Sequence, residues 1–237
     1  MIDIQQLIEF DKEVLLALNG SHSLFWDGFM WTVTKTLTWI PVAAALLYVI
    51  FKNNKLSQGL TILLMLALCV TFADQISSGL CKPYFARFRP AQDPEIMYLV
   101  HTVNGYRGGL YGFVSSHAAN TFAVALFISL VVKSWTMSIM MFSWAILASY
   151  SRIYLGVHYP GDIFCGSLIG LAVAGLIYAA YSYICQKKFP SPVRFSQIQF
   201  TSSGYSVAHL NVLYFVLLLT YMGAIICGML KAKLLFF

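Results

Sequence analysis

The sequence predicts an all-α polytopic membrane bundle of about six transmembrane helices, preceded by an amphipathic helix lying on the membrane. Hydrophobic residues fill 59% of 237 positions and charged residues only 10%, with a mean hydropathy of +0.74, far from the balance of a water-soluble domain. Apolar runs near 36–52, 58–81, 115–133, 135–155, 160–185 and 208–230 each approach the roughly 20 residues that cross a bilayer core. The strongly polar residues gather in short islands at the ends of these runs.

The elements follow in order. The first 20 residues carry acids and lack the basic start and cleavable apolar core of a secretory signal. Ile4, Leu7, Ile8, Val14, Leu15 and Leu18 share a helical stripe, with Asp3, Gln6, Glu13 and Asn19 lying largely elsewhere, as in a helix on a membrane surface. The aromatic stretch 24–38 (LFWDGFMWTVTKTLT) suits a second interfacial piece or a deeply tilted entry. The whole of 1–237 is expected to form one domain, with interfacial helices over 1–35, the bundle over 36–237 and the chemistry between 82 and 162.

Charge and cysteines narrow the reading. The net charge of +6 fits a positive-inside bias, attraction to anionic lipid heads and a cationic site. If the islands share one face, Lys52, Lys55, Lys133, Lys187, Lys188 and Arg194 fall on the other. The island face still carries Lys12, Lys35, Arg87, Arg107, Lys231 and Lys233, so charge alone does not orient the chain. Cys69, Cys81, Cys165, Cys185 and Cys227 have no CxxC spacing and sit in or beside apolar runs, as small packing residues do.

Three islands carry the chemistry: 82–90 (KPYFARFRP), Ser115-Ser116-His117, and 151–162 (SRIYLGVHYPGD). In an up-and-down bundle the helix ends that hold them meet at one face, and ionisable groups there are costly unless paired or used. Phosphoryl transfer needs cations on the equatorial oxygens, an in-line nucleophile and a proton for the leaving oxygen. Lys82, Arg89 and Arg152 supply charge, the arginines with a bidentate fork. The backbone N–H groups of Ser115, Ser116 and His117 open a helix and form an anion cradle. His158 precedes Pro160, a residue suited to a helix start, and Asp162 follows within reach of its ring. A carboxylate on one ring nitrogen leaves the other as a lone pair, making His158 the nucleophile and His117 the acid and later the base.

These islands resemble the signature of the type 2 phosphatidic acid phosphatase family, written KX6RP, PSGH and SRX5HX3D, within the lipid phosphate phosphatase and haloperoxidase-like superfamily. Lys82 through Arg89-Pro90 matches the first, Val114-Ser115-Ser116-His117 aligns with the second, and Ser151-Arg152 through His158 and Asp162 matches the third, the likeness covering about 60–185. Val114 and Ser116 stand where the family has proline and glycine, which alters the loop but keeps His117. The resemblance implies a bacterial inner-membrane enzyme with its site on the extracytoplasmic side, hydrolysing lipid phosphates through a phosphohistidine without a metal or other cofactor. The partners implied are a lipid-phosphate substrate and membrane lipids, not nucleic acid.

Among family substrates, lipid A 1- or 4′-phosphate and undecaprenyl diphosphate are slightly preferred, with phosphatidylglycerol phosphate and phosphatidic acid as alternatives. A lipid phosphotransferase would share the chemistry as far as the intermediate. A non-catalytic lipid-phosphate binder or transporter would need the cations but not His158, Asp162 and His117 together. A soluble vanadium haloperoxidase does not suit so apolar a chain.

Other polar residues carry weaker expectations. His22, His101 and His209 read as satisfied interfacial histidines, Arg87 as a lipid-head contact or a solvated loop cation, and Arg107 as a lesser candidate for substrate contact. Asp74, inside an apolar run, reads either as a neutral buried carboxyl or as acting through Gln75, Ser78 or a facing helix. The connection 91–112 is expected to roof the pocket, with Asp93 and Glu95 suited to sugar hydroxyls or a bridging ion and Met97, Tyr98, Leu99 and Val100 to hydrocarbon.

Overall fold

The computed structural model describes residues 3–20, 23–188 and 199–233; His22 and Arg194 fall outside them. Among the described residues no strand forms, and pairing is limited to two isolated bridges, Phe88 with Tyr111 and Phe200 with Ser206.

Helix α1 (Ile4–Asn19) starts at Asp3, whose side chain accepts the N–H of Gln5 at 3.3 Å. It exposes Ile4, Leu7, Phe10 and Leu18 and buries Leu15, the two-faced helix expected. Asn19 fastens its end: the side-chain amide donates to the carbonyls of Tyr154 at 2.7 Å and Ile153 at 3.2 Å, and Oδ1 accepts the N–H of His101 at 2.7 Å. Helix α2 (Leu24–Thr34) buries Phe29, Met30 and Val33, and packs along α9 (Val207–Lys231). Its Asp27 accepts the Tyr154 hydroxyl and meets His101 Nε2, both at 2.9 Å. The second N-terminal piece is therefore packed into the bundle on one face.

The remaining helices follow the apolar runs. A 3-10 turn, Thr36–Trp39, leads into α3 (Ile40–Asn53). Next come α4 (Leu56–Asp74), a π-helical segment (Gln75–Cys81) and a single turn, α5 (Lys82–Phe85). Helices α6 (Ser116–Val132), α7 (Trp135–Tyr154) and α8 (Pro160–Lys188) complete the bundle with α9. Among the described residues four stretches, Thr36–Asn53, Leu56–Phe85, Pro160–Lys188 and Val207–Lys231, are long and apolar enough to cross a membrane. Helix α6 is apolar but 17 residues long, and α7 has 20 residues with Arg152 in its last turn. All six expected runs are thus helices, and the architecture is the polytopic helical bundle that composition predicts.

Helix α6 is central. It packs against α4, α7 and α8, and its Ala118, Ala119, Ala123, Ala125, Phe127 and Ile128 have no exposed surface, as befits a helix apolar all round. Lipid tails are as apolar as the side chains, so helix association there depends on close packing and small residues. Gly166 and Gly170, one turn apart on α8, supply that fit: a Cβ on either would strike the backbone carbonyl of Ser115 or of Ala119. Their seam draws the starts of α6 and α8 together, and the Ser115 N–H donates to the Asp162 carbonyl at 3.0 Å.

Two local features aim the first island. At the close of the π segment the Lys82 N–H donates to the Ser77 carbonyl, five residues back. Helix α5 then ends on Ala86 in a left-handed conformation, φ 45°, which turns the chain across the bundle end.

The opposite end is closed by polar caps. Asn53 Oδ1 accepts the Ser206 N–H at 2.8 Å and meets His209 Nδ1 at 3.1 Å, so His209 is the satisfied histidine expected. The Ser203 hydroxyl donates to the Val132 carbonyl at 2.5 Å. Lys52, Lys55, Lys133, Lys187 and Lys188 lie at or beside the helix ends of this face.

Candidate active site

The end of α5, the start of α6, the end of α7 and the start of α8 bring the three islands to one end of the bundle, as expected. Arg89 is aimed by a short antiparallel contact: its N–H donates to the Leu110 carbonyl at 3.0 Å, and the Gly112 N–H donates to the Arg87 carbonyl at 2.9 Å. Its Nε donates to the Tyr111 carbonyl at 3.1 Å, and Nη1 reaches the Val157 carbonyl at 3.2 Å and His158 Nε2 at 3.1 Å.

That last contact assigns the histidine tautomer. Guanidinium nitrogens only donate, so Nε2 is the acceptor and the ring proton sits on Nδ1. Nδ1–H then donates to Asp162 Oδ2 at 3.2 Å. His158 is 2% exposed and Asp162 fully buried. Burial first, then the charges of Arg89, Arg152 and Lys82, hold the His158 imidazole well below its ordinary pKa of 6.5, so the neutral ring persists.

Asp162 has a full set of donors. Oδ2 also accepts the Tyr159 N–H at 3.0 Å, and Oδ1 accepts Arg87 Nη1 at 3.1 Å. The other arm of the guanidinium, Nη2, reaches Asp11 Oδ2 on α1 at 2.8 Å, and Asp11 Oδ1 accepts the Gly161 N–H at 2.7 Å. The Arg87 guanidinium lies 4.0 Å over the Tyr159 ring. Arg87 is thus neither a lipid-head contact nor a solvated cation but a bridge between two carboxylates. Gly112 permits the convergence, because a Cβ there would come within 3.1 Å of both Arg89 Cγ and Asp162 Oδ2.

Lys82 Nζ donates to Ser116 Oγ at 2.5 Å and Ser78 Oγ at 3.0 Å, and the two hydroxyls lie 2.8 Å apart. Ser78 also reaches Asp74 Oδ1 at 3.4 Å, the contact anticipated for that acid. Arg152 Nη1 donates to Thr34 Oγ1 at 2.6 Å, while its Nε is buried without a hydrogen-bond partner, a donor left open for an acceptor. His117, on the first turn of α6, lies within the electrostatic influence of Arg152 and His158. The Ser115 side chain caps α6 through the Ala118 N–H at 3.4 Å. Since its own N–H is taken by Asp162, the cradle falls to the N–H groups of Ser116 and His117, which a first helical turn leaves without intrahelical acceptors.

Asp11, Arg87, Tyr159 and Gly112 are the site residues that sequence reasoning did not single out for this pocket. A signal existed for Asp11, which falls between Leu7 and Leu15 at four-residue spacing and so puts an acid on the apolar stripe. Arg107 contributes only a contact of 3.5 Å to the Ala91 carbonyl. Within the connection, Tyr98 and Leu99 are exposed and Val100 and Val103 are buried.

Comparison with known proteins places the chain in a family. The chain is 37% identical over 232 residues to the lipid A 4′-phosphatase of Bacteroides thetaiotaomicron, covering 97% of this chain and 100% of that protein. It is 30% identical to the undecaprenyl-diphosphatase of Sulfolobus acidocaldarius, over 72% of this chain and 78% of the other. The crystal structure of Aquifex aeolicus LpxE superposes with a TM-score of 0.54 at 25% identity, covering 70% of this chain and 93% of that one. The model of the PAP2 superfamily matches residues 58–185, and with one relative 37% identical over 97% of its length the chain belongs to the PAP2 superfamily.

Proposed function

We propose that this membrane lipid phosphatase removes the 4′-phosphate of lipid A. The observation that carries the chemistry is the polarised His158, whose Nδ1–H faces Asp162 and whose Nε2 lone pair faces the guanidinium of Arg89. An incoming phosphate takes Arg89, Lys82 and the open Nε of Arg152 onto its oxygens and frees Nε2 to attack phosphorus. The phosphorus bond to the lipid oxygen breaks, His117 gives that oxygen a proton, and a phosphohistidine forms. His117 then takes a proton from water, the water oxygen attacks phosphorus, and inorganic phosphate leaves as His158 is restored.

The choice of lipid is supported by the end-to-end similarity to a lipid A 4′-phosphatase. A cavity of about 980 Å³ between α1 and the start of α8 also offers room for hydrocarbon: Ile4, Leu7, Phe10, Phe85, Phe113 and Phe164 line it, with Asp11, Lys12, Arg87, Asp93 and Glu95 among its polar walls. The similarity to an undecaprenyl-diphosphatase favours a second reading, prenyl diphosphate hydrolysis. We further propose that the protein lies in the bacterial inner membrane with this site extracytoplasmic, the orientation that the family resemblance implies, since cations stand at both ends of the bundle.

The test is phosphate release from lipid A, undecaprenyl diphosphate, phosphatidylglycerol phosphate and phosphatidic acid, comparing the native protein with His158→Ala in EDTA. Loss of the 4′-phosphate from lipid A that survives chelation and vanishes in the variant is expected. Turnover of phosphatidylglycerol phosphate alone would overturn the substrate, and undiminished turnover by the variant would overturn the mechanism.

A further inference from the structure

We infer that Asp11, on the surface helix α1, is a positioning residue for the His158–Asp162 pair, acting through Arg87. This rests on the reading of that pair as the reacting histidine and its orienting acid. An arginine beside a carboxylate ordinarily places two N–H groups on its two oxygens. Here Arg87 does not: Nη1 meets Asp162 Oδ1 at 3.1 Å, and Nη2 is drawn away to Asp11 Oδ2 at 2.8 Å. Asp162 Oδ2 is thereby left to the Nδ1–H of His158 and the N–H of Tyr159.

Without the charge of Asp11, the guanidinium is free to pivot over the Tyr159 ring and fork onto both oxygens of Asp162. It then competes with His158 for Oδ2, and the ring loses the bond that fixes its tautomer. Asp11 is well held for this task, its side chain only 13% exposed and its other oxygen anchored on the Gly161 N–H at the start of α8. Helix α1 thus connects an exposed apolar surface to the orientation of the reacting ring.

Asp11→Asn separates the two bonds, since an amide oxygen still accepts from Gly161 while the charge that holds Arg87 is gone. Using release of the 4′-phosphate from lipid A as the assay, Asp11→Asn is expected to lower kcat about tenfold, with KM within about twofold and an unchanged unfolding midpoint. Asp11→Ala, which also loses the Gly161 bond, should lower kcat at least as far. In an Arg87→Lys background, where no fork can form, adding Asp11→Asn should cost less than about twofold.

Native kcat in Asp11→Asn, a defect confined to KM, or an undiminished tenfold loss on top of Arg87→Lys would each overturn the inference. His158→Ala is assayed alongside: if it is active, the underlying mechanism falls and this inference with it. If it is inactive while Asp11→Asn is fully active, only the inference falls.

Discussion

Arg89 Nη1 donates to His158 Nε2 at 3.1 Å, so the cation that would bind phosphate also covers the nitrogen that would attack it. Phosphate and imidazole compete for one guanidinium, and substrate binding itself uncovers the lone pair. Replacing Arg89 with Lys leaves a charge but removes the planar fork, and is expected to lower kcat on the order of 10²-fold in a steady-state phosphate-release assay.

Asp162→Asn tests the tautomer. The amide nitrogen of asparagine would donate to Nδ1, moving the ring proton to Nε2 and removing the lone pair from the attacking position. A fall in kcat of about 10²–10⁴-fold is expected, with the helical signal in circular dichroism retained.

The pH profile carries a signed prediction. Because burial and then Arg89, Arg152 and Lys82 depress the His158 pKa, the neutral ring survives as pH falls through 6.5. The acid limb of kcat/KM from this residue should therefore lie below 6.5, and Arg152→Gln should move that limb upward while lowering the plateau. Linkage has a matching sign: the unfolded histidine takes up a proton below 6.5 and the folded one does not, so stability falls as pH drops below that value. Unfolding midpoints of native protein and His158→Ala across acidic pH measure it.

Ser116→Gly restores the residue usual in the family motif. The structure has Ser116 Oγ accepting from Lys82 Nζ and paired with Ser78, so glycine releases the ammonium from one of its two serine anchors. A loss of about two- to tenfold in kcat/KM is expected, the worth of one hydrogen bond. Unchanged kinetics would mean that Ser78 alone holds Lys82.

Gly112→Ala should harm activity more than stability. The added Cβ would press on Arg89 Cγ and Asp162 Oδ2, each at 3.1 Å, displacing both partners of His158 by a few tenths of an ångström. A loss of at least tenfold in kcat, with a change in unfolding midpoint of only a few degrees, is the expected pattern.

The fold was legible because hydropathy reports burial in lipid directly: the expected run 208–230 became Val207–Lys231, and 135–155 became Trp135–Tyr154. The meeting of Lys82, Arg89, Ser116, Arg152, His158 and Asp162 at one bundle end was legible because spacing and helix polarity constrain which ends share a face. Pairings across elements were not. Arg87 looked like a loose cation because its partners, Asp11 and Asp162, lie 76 and 75 residues away in sequence. The N–H of Ser115 looked available because the close approach of α8 that consumes it depends on two glycines whose role appears only in three dimensions.

The π-helical segment Gln75–Cys81 sets the azimuth of Lys82. Each residue of a regular α-helix advances the side chain by about 100°, whereas a wide turn absorbs residues without the full advance. Lys82 therefore points where an uninterrupted continuation of α4 would not send it. Forcing the same seven residues, Gln75–Cys81, into a regular α-helix would regularise the backbone hydrogen bonds and strengthen the span, yet it would swing the ammonium off Ser116. The protein holds a less regular helix in its second long span, and the return is the compass bearing of one cation.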